Sequence, residues 1–398
     1  PPAPPRLSPD AQGGAALTPF DAMHRSAGAR MVPFAGYQMP LQYPGGIINE
    51  HLHTRAAASL FDVSHMGQVR VEGESAAAAL EKLVPVDVQG LKPFRQRYAL
   101  LTNDGAGIVD DLMITHAGDH LMLVVNAARK EADLALLHEG LGAKCSVTYL
   151  TDRALLALQG PAASGVMQTL TPDVSDMRFM DARACRVGGS DCFLTRSGYT
   201  GEDGFEISVP AADAVALAEL LLAAEEVTWA GLGARDSLRL EAGLCLYGQD
   251  IDENTTPVEA GLTWAIQKVR RAGGARAGGF PGAARVMEQL ANGTEMLRVG
   301  IRPAGRQPVR AGAELVGADG ASVGRVTSGC HGATVDGPVA MGYLRSELAA
   351  PGTALAAMVR GKELAVEVAK LPFVTPVSYT HLTMPTICFK CRSRGSRY

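Results

Sequence analysis

Residues 195 to 206 read Thr-Arg-Ser-Gly-Tyr-Thr-Gly-Glu-Asp-Gly-Phe-Glu, a stretch of three glycines, a tyrosine and three acids. Glycine at this density marks a backbone that turns where a side chain would clash. Acids and an aromatic ring on such a turn suit a polar, planar ligand. A phosphate cradle would instead offer backbone N–H groups with a lysine and no carboxylates. The stretch runs into a segment in which Phe205, Ile207 and Val209 alternate with Glu206 and Ser208. That pattern predicts a strand with one dry face and one polar face.

Two further clusters could carry chemistry. In the run from Thr102 to Ile114, Asp110 and Asp111 interrupt an otherwise apolar strand. Period-two geometry sends them to opposite faces. One must face the interior or a cleft, where an unpaired carboxylate is costly. Two readings stand: an exposed edge strand with a turn-binding aspartate, or a carboxylate that bonds ring N–H groups or steadies a cationic centre. Arg235 and Arg239 share a face of the helix-like run Ala234 to Ala242, beside Asp236 and Glu241. Taken alone, surface ion pairing is the better reading of that spacing. Asp62, Ser64 and His65 lie close together in Leu60-Phe-Asp-Val-Ser-His-Met-Gly67. A hydrolytic triad needs convergence in space, which adjacency in sequence does not provide. His65 reads as a structural histidine with its hydrogen bonds met, and Met66 as a lining residue.

These residues need elements to position them. Helices are expected over Ala76 to Val84 behind Ser75, over Ala127 to Glu139 with Asn126 as the cap, after Gly160-Pro161, and over Ala211 to Glu226. Strands are expected over His120 to Val125 and Arg153 to Leu158. The mixture fits α+β layers better than a doubly wound sheet. Gly231-Leu-Gly-Ala-Arg235 lacks a third glycine and a suitable preceding strand, which excludes a dinucleotide site. The basic, glycine-rich stretch Arg270 to Gly282 reads as a solvated linker, with an anion-gripping role as the alternative. After about residue 295 short strands follow one another: 297–301, 314–317, 322–327, 339–344, 354–359 and 364–368. Asp319-Gly320 and Gly361-Lys362 supply hairpin turns, so a small β-barrel is expected.

Composition sets the outer bounds. A chain of 398 residues, 47% apolar and 20% charged, is globular and exceeds one ordinary core. A net charge of −4, from 37 basic and 41 acidic residues, argues against a nucleic-acid partner. No apolar run is long enough to span a bilayer, so no membrane association is expected. Seven cysteines at irregular spacing point to a reducing compartment. Cys388 and Cys391 form a lone pair with no second pair to complete a zinc site, and no metal is expected. Residues 1–16 read as a flexible leader without a secretory signal.

The chain resembles the glycine cleavage system T-protein family. The resemblance runs from about Thr18 to Val374. It rests on Met31-Val-Pro-Phe-Ala-Gly36, LFDVSHMG at 60–67, LTNDGAGIVDDLM at 101–113, Leu156-Ala-Leu-Gln-Gly-Pro161, RSGYTGEDGFEISVP at 196–210, and the long run GLGARDSLRLEAGLCLYGQDIDENTTPVEAGLTW at 231–264. It departs in the Gly329-Cys-His-Gly332 turn and in residues 375–398, where the tail breaks character and Tyr379 stands where the family carries an aromatic pair.

The resemblance implies an α+β fold of two interleaved ferredoxin-like units with a C-terminal β-barrel, a three-domain cloverleaf around a central folate pocket. The folate-binding region would cover 17–283, with the second unit at about 56–149, and the barrel 295–374. It implies an aminomethyltransferase that moves the aminomethyl carbon from the lipoyl arm of H-protein to tetrahydrofolate and releases ammonia. Asp111 would be the catalytic carboxylate. Glu206, Arg235, Tyr199, Asn126 and Met66 would bind folate or substrate. A monomer is expected, in the bacterial cytoplasm or alternatively the mitochondrial matrix. The competing reading is a folate-binding relative without this activity, such as a tRNA-modification accessory or a regulatory protein.

Overall fold

Phe205, Ile207 and Val209 turn one side of the strand Gly204–Pro210 into a core, and that core defines the first layer. In the computed structural model, which describes residues 14–377, this strand belongs to a six-stranded sheet. Its order is Ala182–Val187, Ser190–Thr195, Gly204–Pro210, Arg153–Gln159, Ala58–Asp62, Val227–Trp229. Leu156, Leu158, Phe205, Ile207 and Val209 pack there with Leu217 and Leu221 of the helix Ala214–Leu222. A five-stranded sheet has the order Gln96–Thr102, Ile108–His116, Leu121–Val125, Gly67–Glu72, Ser146–Tyr149. Its Val69, Leu101, Leu112, Ile114 and Leu123 pack with Leu137 and Leu141 of the helix Lys130–Leu141. The fold is therefore the expected α+β class, closed at its C-terminal end by a six-stranded barrel. Within 56–149, the strand Ala58–Asp62 pairs with Arg153–Gln159 and Val227–Trp229, so the five-stranded sheet begins only at Gly67.

Each sheet turns its other face toward its neighbour. Glu206 and Ser208 are buried rather than solvated, and they meet Gln68, Gln96, Thr115 and Met122 around a cavity of about 20 Å³. The Ser208 hydroxyl donates to Gln68 Oε1 at 2.5 Å across this gap. The expected polar face is thus an inter-sheet seam, and alternation alone does not separate that from a wet surface.

Several elements differ from the sequence reading. The helix expected over 76–84 stops at Leu80, where Glu81 leaves to accept hydrogen bonds from Gln89. The helix expected over 211–226 spans Ala214–Leu222. Asn126 caps nothing: the next helix starts at Lys130 without a side-chain cap, and the Asn126 amide goes to Asp110 and Asp111. A strand does precede Gly231, namely Val227–Trp229, running parallel to Ala58–Asp62. The glycines that follow it serve packing, since a Cβ at Gly231 would lie 2.5 Å from the Leu41 carbonyl oxygen. Arg270 to Gly282 is no solvated linker. Arg270 is buried and donates to the carbonyls of Glu81 and Val84, while Arg276 bonds Glu81 and Asp87. A guanidinium has enough donors to pin irregular backbone in this way.

The barrel order is Met296–Pro303, Gly337–Arg345, Ser322–Gly332, Glu314–Val316, Ala354–Val359, Lys362–Ala369. The tight hairpin uses Arg360-Gly361, both with positive φ (52° and 76°), one residue before the expected pair. Gly329 to Gly332 is strand, not turn, paired from Ala340 to Gly337. Pro376 is buried and the Val377 N–H reaches the Gly201 carbonyl at 2.9 Å, so the fold extends past Thr375. At the other end, Ala16 bonds the backbone of Gly36 and Gln38, so the described part of the expected leader is already structured. Tyr379, Cys388 and Cys391 lie outside the described residues.

The helix Leu232–Glu241 locks the barrel on. Arg239 does pair with Asp236 at 2.7 Å, as its spacing led one to expect, but it is fully buried rather than on the surface: Nη1 meets Asp250 at 2.5 Å and Nη2 meets Ser328 of the barrel at 2.9 Å. Asp250 also accepts from Thr327 at 2.5 Å and from the Leu246 N–H at 3.0 Å. Replacing Arg239 with Met leaves Asp250 buried without its counter-charge, a loss of about 3–5 kcal/mol. Scanning calorimetry reads this as a lowered thermal midpoint; an unchanged midpoint would show that desolvation cancels the pair.

Candidate functional site

The loop before Gly204–Pro210 uses its glycines for two purposes. A Cβ at Gly198 would lie 1.8 Å from Gln159 Oε1, and one at Gly204 would lie 2.3 Å from the Leu158 carbonyl oxygen. Gly201 has φ +80°, a left-handed conformation that glycine adopts without strain. Of the three acids, two are spent inside the fold. Glu202 pairs with Arg55 at 2.9 Å and Asp203 pairs with Arg196 at 2.6 Å. Glu206 alone turns to the seam, 9% exposed, with a 3.3 Å hydrogen bond from the Ser197 hydroxyl. Burial raises its pKa, and the charge of Arg235 opposes that rise.

Arg235 lies over the Tyr199 ring, 4.6 Å from its centroid. Its Nη1 is buried and has no hydrogen-bond partner among the described residues. The Tyr199 hydroxyl donates to the Cys245 carbonyl, which leaves the ring as the surface it presents. Met66 packs against the apolar cluster to which Ala234 and Leu238 of the Arg235 helix contribute.

Asp110 and Asp111 follow the alternation of their strand. Asp110 shares its side with Leu112 and Ile114, toward the helix Lys130–Leu141, while Asp111 shares the other with Met113 and Thr115. Asp111 is half-buried. It accepts from the Tyr98 hydroxyl at 3.0 Å and from Asn126 Nδ2 at 2.7 Å. Burial and the neighbouring Asp110 charge raise its pKa to about 7, against those two bonds. Tyr98 stacks on Trp264, centroids 5.2 Å apart, and Trp264 is 45% exposed, so the group reaches the surface there. The Asp111 charge also bears on Tyr199, and Tyr199 on Arg235, which links the two acid regions.

Asp62, Ser64 and His65 form no hydrolytic triad, in line with the sequence reading. Asp62 binds Thr18, His24 and the Ser64 N–H, while the Ser64 hydroxyl bonds the Leu155 backbone. His65 is buried against Phe34 and Tyr37. Its Nδ1 lacks a partner among the described residues, contrary to the expectation of satisfied hydrogen bonds. Burial lowers its pKa to about 4, so it stands neutral. No group of three or more His, Cys, Asp or Glu suited to a metal occurs among the described residues, and no described helix is long and apolar enough to cross a membrane.

Comparison with known proteins then decides the family. The GCVT N-terminal domain model matches residues 20–270, and the glycine cleavage T-protein C-terminal barrel domain model matches 297–375. The chain belongs to the glycine cleavage T-protein family. It is 48% identical over 375 residues to the mitochondrial aminomethyltransferase of Gallus gallus, covering 92% of this chain and 94% of that one. It is 47% identical to the Flaveria anomala mitochondrial enzyme over 366 residues, covering 89% and 88%. Among solved structures, the glycine cleavage system aminomethyltransferase T from Bartonella henselae matches with a TM-score of 0.86 and 47% identity. That match covers 91% of this chain and 99% of the other. This protein is accordingly an aminomethyltransferase of the glycine cleavage system, a transferase with the T-protein fold.

The sequence named Asp111, Asn126, Tyr199, Glu206, Arg235 and Met66. The structure places Asn126 on Asp111, Arg235 on Tyr199, and Met66 against the apolar cluster that the arginine's helix joins. Tyr98, Trp264 and Asp133 went unnoticed. Tyr98 becomes visible only once the register Leu100↔Asp111 is known, which sets it diagonally across from the acid. Because Asp111 ionises as pH rises through about 7, turnover that uses the carboxylate should have an acid limb centred near that pH. Asp111→Asn should abolish the limb in a kcat–pH profile; a limb that persists would assign it to another group.

Proposed function

We propose that this enzyme takes an aminomethyl group from the lipoyl arm of a carrier protein, the H-protein, and transfers its carbon to tetrahydrofolate with release of ammonia. The names of its relatives supply the reaction class, and the site supplies reasons for the acceptor. Tetrahydrofolate pairs a pterin edge rich in N–H donors with an aromatic ring and an anionic tail. Glu206 offers a buried acceptor for such an edge. Tyr199 offers a ring face, and Arg235 a buried N–H without a partner. The single observation that carries the reading is that unpaired guanidinium nitrogen near a buried acid that accepts one 3.3 Å hydrogen bond from Ser197: a bound ligand would give the first a partner and the second a fuller set.

Within this reading, tetrahydrofolate supplies the nucleophilic nitrogen. The protein holds the reactants and places charge. Asp111 faces the side of the sheet away from the helix core, held by Tyr98 and Asn126. Its carboxylate would stabilise positive charge developing at the transferred carbon and orient the attacking amine. With a pKa near 7 it is also able to hold a proton at its Oδ atoms during exchange with the departing nitrogen. Residues 17–283 would form the folate-binding region, with the barrel at 295–374 closing it. The mitochondrial names of several relatives favour the matrix, and the Bartonella structure keeps the bacterial cytoplasm as the alternative.

Asp111→Asn should retain tetrahydrofolate binding by calorimetry. Its H-protein-dependent ammonia release should fall about 100-fold or more, the scale of removing a preorganised electrostatic group. Near-normal turnover in that variant would remove Asp111 from the mechanism. Absence of ammonia release by the wild-type enzyme would favour a folate-binding relative without the transfer step.

A further inference from the structure

Asp133 lies on the helix Lys130–Leu141 with 0% exposure. Both carboxylate oxygens are buried, and neither receives a hydrogen bond from an N–H or O–H group of the described residues. What it meets is a second carboxylate, Asp110, also 0% exposed and within hydrogen-bonding reach. Two ionised carboxylates in that position would repel at close range in a dry interior, and Asp133 would have no donor at all. One proton between them removes both difficulties. Its place follows from the surroundings. Asp110 already accepts the Asn126 backbone N–H at 3.1 Å and its side-chain N–H at 2.9 Å, which favours the ionised form there. Asp133 therefore carries the proton and donates it to Asp110.

We propose that Asp110 and Asp133 share one proton, and that Asp133 is thereby a positioning residue for aminomethyl transfer. Its O–H fixes Asp110, Asp110 fixes Asn126, and Asn126 holds the Asp111 carboxylate. The same Asn126 Nδ2 group lies within 3.0 Å of Asp110 Oδ1, Asp111 Oδ1 and the Asp111 carbonyl, so a shift in Asp110 moves the donor on Asp111.

The other charges nearby do not relieve the pair. Arg129, just before the helix, opposes protonation of Asp133 by its charge, but none of its N–H groups bonds either Asp133 oxygen: Nη2 goes to Glu253 at 2.7 Å, the guanidinium lies over the Tyr247 ring, and Nε is buried without a partner among the described residues. Lys130, on the same helix, turns away to the Tyr37 hydroxyl at 2.7 Å. Asp111, on the strand, adds negative charge and favours the proton, and Tyr98 bonds Asp111 rather than the pair. Burial is the largest influence raising both carboxyls.

The catalytic half of this inference rests on Asp111 as the working carboxylate; the shared proton does not, and is read separately from unfolding. The folded chain keeps a proton that an unfolded aspartate releases above pH about 4. Stability from that proton is full at low pH and declines as pH rises. Between about pH 5 and 8 the wild-type unfolding constant should rise about tenfold more per pH unit than that of Asp133→Asn, which has no proton to lose. In turnover, Asp133→Asn keeps an N–H donor to Asp110 and should stay within a few-fold of wild-type kcat. Asp133→Leu should lose roughly 10- to 100-fold in kcat, the range for groups that orient a reacting side chain, with little change in KM for tetrahydrofolate. Parallel pH dependence of unfolding in wild type and Asp133→Asn would overturn the shared proton. A leucine variant with wild-type kcat, or an asparagine variant as impaired as the leucine one, would overturn the positioning role. If the leucine variant does not fold, the wild-type and asparagine proteins still decide the proton. If Asp111→Asn is fully active while the unfolding difference stands, the reading of Asp111 fails and the shared proton survives.

Discussion

A carboxylate taken out of water persists only where donors, counter-charges or a proton replace the solvent it has lost. Around the candidate site, three aspartates and a glutamate lie in or against the two larger sheets, and each is settled differently. Asp111 has two hydroxyl or amide donors. Asp110 has the Asn126 amide and backbone. Asp133 has only another acid. Glu206 has one serine and the nearby charge of Arg235. The donors that complete this set come from Tyr98, Asn126 and Ser197, on three separate parts of the chain. The acids can keep their places only when both sheets and the glycine loop are assembled.

The helix Leu232–Glu241 carries that assembly to the rest of the molecule. Arg235 turns to Tyr199 and Glu206, and one turn later Arg239 enters the Asp250 pocket under the barrel. Glu241 closes the series. It is bonded by His51 at 3.0 Å, by Arg55 at 3.2 Å and by the Thr334 N–H at 2.8 Å. Burial pushes its pKa up, but these partners outweigh it and hold the group down at about 2. The Phe373 N–H then bonds the Glu241 carbonyl, tying in the end of the barrel segment. A helix that presents a site residue and two anchors on successive turns cannot shift on one side without straining the other. The barrel thereby contributes to the rigidity of the candidate site.

The readable parts of this fold are those where one periodicity acts alone. The barrel strands appear near their true positions because short alternating runs are bounded by turn residues, and Ala354–Val359 agrees at both ends. The opposite faces of Asp110 and Asp111 follow from strand geometry and hold. Errors occur where a side chain's partner lies far along the sequence. Asn126 has the local look of a helix cap, yet two acids 15 and 16 residues earlier claim its amide. Arg239 does pair with Asp236, i, i+3, but Asp250 and Ser328, distant in sequence, bury it. Arg270 and Arg276 look solvated among glycines until Glu81 and Asp87 are brought beside them. Tyr98 gives no signal at all, since only the hairpin register sets it near Asp111.

The adjacency of Asp110 and Asp111 gains a physical meaning from their opposite directions. A strand in a sheet separates two environments by the thickness of its backbone. Here one acid faces a helix-packed core and the next faces the seam between sheets. The inner acid cannot touch a ligand in the seam, but its charge still crosses that thin layer and raises the proton affinity of the outer one. Low dielectric on both sides makes this coupling stronger than the same spacing would give on a surface. An inner acid that could titrate freely would make the outer group's affinity drift with pH. A proton locked between Asp110 and Asp133 keeps the inner charge constant, so of these three aspartates it is Asp111 that responds to pH near neutrality.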